Sequence, residues 1–125
     1  MKFHHIGIAV KNIEKELENY KSILDIEITE EIIFDSNQSA RLCMLTLKDG
    51  TKFELVEGIP VKEYLKKGVQ MYHVCYEVLD IDEEIMRLEQ KHSIVVSGPS
   101  PAVLFKGKKV AFLYTAIGLI ELVEE

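Results

Sequence analysis

Four residues have the types and the settings to do chemistry together: His5, Glu54, His73 and Glu121. Glu54 sits in the apolar run Phe53-Glu54-Leu55-Val56, and Glu121 in Ile120-Glu121-Leu122-Val123. A carboxylate at the centre of an apolar strand is costly to bury unless it is paired or bound to a metal. His5 alternates with Gly7 and Ala9, whose small side chains leave its imidazole facing open space rather than packed core. Two imidazoles and two carboxylates suit a borderline divalent ion: Ni²⁺, Co²⁺, Zn²⁺ or Mn²⁺. Four such ligands on an octahedral ion would leave two positions for water or a chelating substrate. The competing reading places both acids in solvent on a half-exposed sheet, with the histidines as ordinary residues at the edge of the core.

An internal repeat favours the metal reading. Phe3-His4-His5-Ile6-Gly7-Ile8-Ala9-Val10 lies over Met71-Tyr72-His73-Val74-Cys75-Tyr76-Glu77-Val78, and Phe53-Glu54-Leu55-Val56-Glu57 over Ile120-Glu121-Leu122-Val123-Glu124. His5 and His73 are 68 positions apart, Glu54 and Glu121 67 apart. Two matches in order at nearly equal offsets make the anomalous acid a duplicated feature. A pseudo-twofold axis relating the halves would let two imidazoles and two carboxylates converge on one point.

The elements that must position these residues follow from periodicity. Residues 3–10 alternate as a strand, with His4, Ile6, Ile8 and Val10 on the face opposite His5. Asn12 can cap a helix whose apolar positions are Ile13, Leu17, Tyr20 and Leu24. Strands are expected at 26–34, 40–48 and 52–57, the last two joined by the Lys48-Asp49-Gly50 hairpin. The second half repeats the pattern: strand 71–79, a capping-box-like start at Asp80 and Glu83, helix 81–91, and strands near 93–97, 108–115 and 118–124. The reading is α+β: a first βαβββ module at 1–57, a linker at 58–70 with a short helix near Val61 to Lys67 stopped by Gly68, and a second module at 71–125.

Bulk properties exclude several classes. The 125 residues carry a net charge of −6 and a pI near 5.3. No basic cluster exceeds Lys106-Gly107-Lys108-Lys109, so nucleic acid is not an expected partner. No run reads as a signal peptide or is long enough to span a bilayer. Cys43 and Cys75 lie in apolar strand-like runs without a CxxC context, which fits buried free thiols and a cytoplasmic setting.

With these strings in view, the chain resembles the vicinal oxygen chelate superfamily, which includes glyoxalase I, methylmalonyl-CoA epimerase, extradiol dioxygenases and bleomycin-resistance proteins. The likeness covers essentially the whole chain. It rests on His-Ile-Gly-Ile-Ala-Val at 5–10, Lys-Phe-Glu-Leu-Val-Glu at 52–57, Tyr-His-Val-Cys-Tyr-Glu-Val at 72–78 and Leu-Ile-Glu-Leu-Val-Glu at 119–124. It implies paired βαβββ modules, each curling into a half-barrel, with a metal in the cleft held by His5, Glu54, His73 and Glu121. It also implies a homodimer acting on a small carbonyl or thioester, with Glu121 as the proton-abstracting base and Glu54 as the symmetric alternative. The quartet is similar to that of the isomerase branch. Unlike glyoxalase I enzymes of bacterial type, the first strand has Ala9 and no nearby Arg. Unlike some epimerases, the stretch from Gln38 to Thr46 has no acid. The alternatives are a metal-free binding protein of bleomycin-resistance type and an Fe(II) extradiol-type dioxygenase.

Other residues carry lesser expectations. Arg41, Glu77 and Tyr114 are candidate substrate contacts, and Cys75 a candidate cavity-lining residue. His4 points away from His5, and His92 closes a helix. Glu57 and Glu124 read as exposed acids at strand ends, and the Lys106–Lys109 loop as a solvated one.

Overall fold

Alternation along the first strand decides which way each side chain faces, and the remaining elements build on that choice. The computed structural model describes residues 1–125. Its order is β1 (Lys2–Ala9), α1 (Ile13–Ile23), β2 (Ile26–Thr29), β3 (Ile33–Asp35), β4 (Ala40–Leu47), β5 (Lys52–Gly58), a 3-10 turn (Ile59–Val61), α2 (Lys62–Lys66), β6 (Met71–Val78), α3 (Ile81–Glu89), β7 (Ile94–Pro101), a second 3-10 turn (Val103–Phe105), β8 (Lys109–Thr115) and β9 (Gly118–Glu124). The α+β expectation of two βαβββ modules holds. The chain divides into two units, one formed by His5–Tyr72, the other by Met1–His4 together with His73–Glu125.

In the unit of His5–Tyr72 the strands run in the order β2-β4-β5-β1, with β3 also on β4. β1 and β5 are parallel, with Ile6, Gly7, Ile8 and Ala9 opposite Phe53, Glu54, Leu55 and Val56. Ile8, Val10, Ile13, Cys43, Leu45, Leu47, Phe53 and Leu55 form the core, with Leu17 and Tyr20 of α1 and the following Leu24 packed against it. The greasy face of β1 therefore lies under α1, as its alternation foretells. Asn12 caps that helix, its Oδ1 accepting from the Lys15 N–H at 2.9 Å.

The other unit repeats the plan in the order β6-β9-β8-β7. β6 and β9 are parallel, with Cys75 opposite Glu121 and Tyr76 opposite Leu122. Val78, Ile81, Ile85, Ala111, Leu113, Ile120 and Leu122 form its core, joined by Val74, Tyr76 and Leu88. Asp80 caps α3 by accepting from the Glu83 N–H at 3.1 Å.

Four boundaries differ from the expectations. The strand at 26–34 breaks in two because Thr29 to Ile33 advances four residues while its partners Leu45 to Leu42 advance three, so one residue must loop out. The strand near 93–97 continues to Pro101, since Ser100 and Pro101 also pair with Val110 and Lys109. Its prolines are tolerated because β7 ends the strand order and can spare N–H donors. Helix α3 stops at Glu89 rather than 91, and His92 turns the chain with φ 70° while the Ser93 N–H donates back to the Leu88 carbonyl at 3.0 Å. The linker helix is Lys62–Lys66, preceded by the separate 3-10 turn.

Leu55 and Leu122 are both fully buried at matched positions of the two cores. Leu55→Ala and Leu122→Ala should each lower the unfolding free energy by about 2–5 kcal/mol, measured by urea denaturation. A loss under about 1 kcal/mol would mean that these layers are not closely packed.

Candidate functional site

Parallel pairing fixes where each acid stands. Partners across a strand pair share a sheet face, so Glu54 projects beside Gly7, two residues after His5, on the face away from α1. Gly7 has no side chain to occupy that space. His5 Nε2 and Glu54 Oε1 lie 3.8 Å apart, the imidazole fully buried and the acid nearly so. Met44 of β4 stands directly opposite Glu54 on its other side, so an apolar side chain shares that sheet face with the carboxylate.

The second module repeats the construction. Glu121 projects beside Cys75, two residues after His73. His73 Nε2 and Glu121 Oε1 are 3.1 Å apart, with both residues buried. Phe112 stands opposite Glu121 and meets the His73 ring edge-on, centroids 5.3 Å apart. Each unit thus holds one imidazole and one carboxylate at the same register positions, away from water.

The donor set can be tested against a divalent ion within each pair. Metal–ligand bonds of about 2.0–2.2 Å at tetrahedral or octahedral angles put neighbouring donor atoms roughly 3.0–3.5 Å apart. The observed 3.1 Å matches that spacing, and 3.8 Å is slightly looser. Nitrogen and oxygen donors of this kind fit a borderline cation.

The remaining candidates fall into two groups. Glu77 pairs with Val123, and Tyr114 follows Phe112 by two residues, so both lie on the sheet face that carries His73 and Glu121. Cys75 shares that face and is fully buried in a small apolar cluster with Ala102, Val110, Val123 and Phe105. Burial pushes the Cys43 thiol up, reinforced by the charges of Glu30 and Glu14. His4, half-buried, packs edge-on against Phe105.

Arg41 is not on the face of Glu54. It pairs with Glu57 across β4 and β5, and its guanidinium spans Glu14 Oε2 at 2.6 Å and Glu57 Oε1 at 3.1 Å. Hydrogen bonds to those two acids hold it above its usual range, and its bond holds Glu14 below the ordinary carboxylate range. The sequence reading missed the work of the strand-end acids. Glu57 and Glu124 are half-buried rather than exposed: Glu57 Oε1 accepts from the Ile13 N–H at 2.9 Å and Glu124 Oε2 from the Ile81 N–H at 3.0 Å. The signal was present, since both acids close the duplicated Glu-Leu-Val-Glu string.

Comparison with known proteins sets this geometry in a family. A family model described as the Glyoxalase/Bleomycin resistance protein/Dioxygenase superfamily matches residues 4–112. The ethylmalonyl-CoA/methylmalonyl-CoA epimerase of Cereibacter sphaeroides is 29% identical over 119 residues, covering 90% of this chain and 87% of that protein. The mitochondrial methylmalonyl-CoA epimerase of Dictyostelium discoideum is 25% identical over 119 residues, covering 90% and 70%. The solved structure of methylmalonyl-CoA epimerase from Mycobacterium tuberculosis has a TM-score of 0.80 at 21% identity, covering 98% of this chain and 87% of that one; at that identity it speaks to the fold alone.

Arg41→Ala should return the Glu14 carboxyl toward its ordinary range, read by carboxyl ¹³C titration. Because Glu14 is depressed in the folded state, its contribution exists above its unfolded pKa and is lost as pH falls through the folded one. The Tm difference between wild type and R41A should therefore narrow on acidification. A difference that stays constant into strong acid would contradict this role.

Proposed function

On the premise that the chain belongs to the Glyoxalase/Bleomycin resistance protein/Dioxygenase superfamily, we propose that it is a metal-dependent isomerase moving a proton at the carbon beside a carbonyl, with a CoA thioester as the favoured substrate. The observation that carries this reading is the duplicated pair: a buried carboxylate beside a buried imidazole, at the same register in each module.

In this reading His5, Glu54, His73 and Glu121, each offering one ligand atom, would hold a single divalent ion. The donor set fits such an ion in type and charge, since two carboxylates balance a dication and neutral imidazoles complete the set. A bound dication would supply Lewis-acid polarisation of the substrate carbonyl. The proton chemistry falls to the chain's own acids. Glu121 takes the proton from the carbon beside the carbonyl, and Glu54, after taking up a proton from solvent, is the symmetric group able to return one from the other side. Inverting a carbon centre needs a base on one face and a proton donor on the other, and a duplicated fold supplies two equivalent carboxylates. That division of labour also suits a β4 whose side chains on the Glu54 face are Ala40, Leu42, Met44 and Thr46, none of them acidic. His5 and His73 remain neutral and orient the set. Glu77 and Tyr114, on the face of His73, contact the substrate.

Epimerisation is favoured over glutathione-adduct isomerisation because the curated relatives described above are named as methylmalonyl-CoA epimerases, and because the first strand offers Ala9 where glutathione recognition would want an Arg.

Two measurements test the proposal. Protein purified without chelator, or reconstituted, should hold about one transition-metal ion per chain, and stripping it should lower Tm by leaving the buried acids uncompensated. Solvent deuterium should enter methylmalonyl-CoA at the carbon between its carbonyls, and E121Q or E54Q should slow that exchange by about 100-fold or more. Binding of metal far below one equivalent after reconstitution would favour a metal-free binding protein. Exchange only into the methylglyoxal–glutathione adduct would move the substrate to the glyoxalase side.

A further inference from the structure

We propose that Glu57 and Glu124 are positioning residues: each clamps a helix N-terminus to the strand carrying a metal-binding acid, and thereby sets how that acid stands beside its histidine. The inference rests on the reading of His5, Glu54, His73 and Glu121 as ligands.

A parallel strand pair has no hairpin to fix its register. β1 and β5 are separated by a helix and three further strands, as β6 and β9 are by a helix and two. Something other than a turn must stop β5 from sliding along β1. A slip of one residue would turn Glu54 to the core face, and a slip of two would carry it about 7 Å from His5. The clamps stand where such sliding would be felt. Glu57 lies three residues beyond Glu54, and Glu124 three beyond Glu121, so in each strand the ligand faces one side and the clamp the other.

The partner of each clamp is a helix amide that needs one. The first N–H groups of a helix have no intrahelical acceptor. Asn12 and Asp80 take the amides of Lys15 and Glu83, which leaves those of Ile13 and Ile81, the first residues of α1 and α3, both fully buried. Glu57 reaches the first across 44 residues of sequence and Glu124 the second across 43. A carboxylate there also meets the positive end of the helix dipole. Backbone bonds pin the same junctions, from the Val10 N–H to the Val56 carbonyl at 2.9 Å and from the Glu125 N–H to the Val78 carbonyl at 2.8 Å. In the first module Arg41 grips Glu57 as well, tying it to Glu14 on α1. One four-letter string, Glu-Leu-Val-Glu, thus encodes a ligand, two flanking apolar residues and the device that keeps the ligand in register.

The test separates positioning from plain stability. Imidazole ¹H–¹³C spectra of the metal-free chain should show E57A shifting the His5 ring resonances and leaving those of His73, with E124A doing the reverse. The affinity for Co²⁺, read by competition with a chromophoric chelator, should fall about tenfold or more in each Ala variant, while E57Q and E124Q, which keep an acceptor for the helix amide, stay close to wild type. Lower Tm in the Ala variants with unmoved ring resonances and unchanged Co²⁺ affinity would overturn the proposal. If an Ala variant does not fold, E57D and E124D, one methylene shorter, are judged by the same module-specific shifts: their presence supports the clamps and their absence overturns them. Failure of the wild type to bind Co²⁺ would sink the metal reading by itself, and the ring shifts would still decide the clamps.

Discussion

An ionised carboxylate removed from water must be compensated, and that single constraint organises both halves of this chain. Glu54 and Glu121 are each flanked along the strand by apolar residues and are nearly inaccessible to solvent. Desolvating such a group costs several kcal/mol even after relaxation, and an adjacent neutral imidazole offsets that only in part. A dication offsets it directly, which is why the buried acids and the proposed chemistry belong to one argument. In the proposed reaction the same carboxylates that make a cation favourable serve as the acid–base groups.

The rest of each module can be understood as what keeps one acid beside one imidazole. Alternation along β1 and β6 sends the histidine to one face and the helix-packing residues to the other. Parallel pairing then places the acid two positions beyond the histidine, next to Gly7 or Cys75. Capped helices cover the opposite face, and their first amides are taken by Glu57 and Glu124. Duplication supplies the arrangement twice. The copies have diverged in the neighbours they allow: Met44 lies opposite one acid and Phe112 opposite the other. The histidine–acid contact is looser in the first copy than in the second.

Much of this was legible because period-two alternation and a repeated string are strong signals. The faces of β1 and β6, the caps Asn12 and Asp80, and the placement of His5, Glu54, His73 and Glu121 on strands all follow from residue order. What escaped depends on long-range partners. Glu57 and Glu124 look like solvated strand ends until the helix amides they accept from, more than forty residues away, are in place. Arg41 has the chemistry of a substrate contact, yet its pairing opposite Glu57 turns it to the helix side. The break between β2 and β3 arises from one residue of mismatch against β4, which no local propensity records.

The most direct measurement is an anomalous difference map at the cobalt edge from crystals grown with Co²⁺. A shared centre predicts one peak per chain, bonded to His5, Glu54, His73 and Glu121 together. Two separate peaks, one at each His–Glu pair, or cobalt bound only elsewhere, would contradict it.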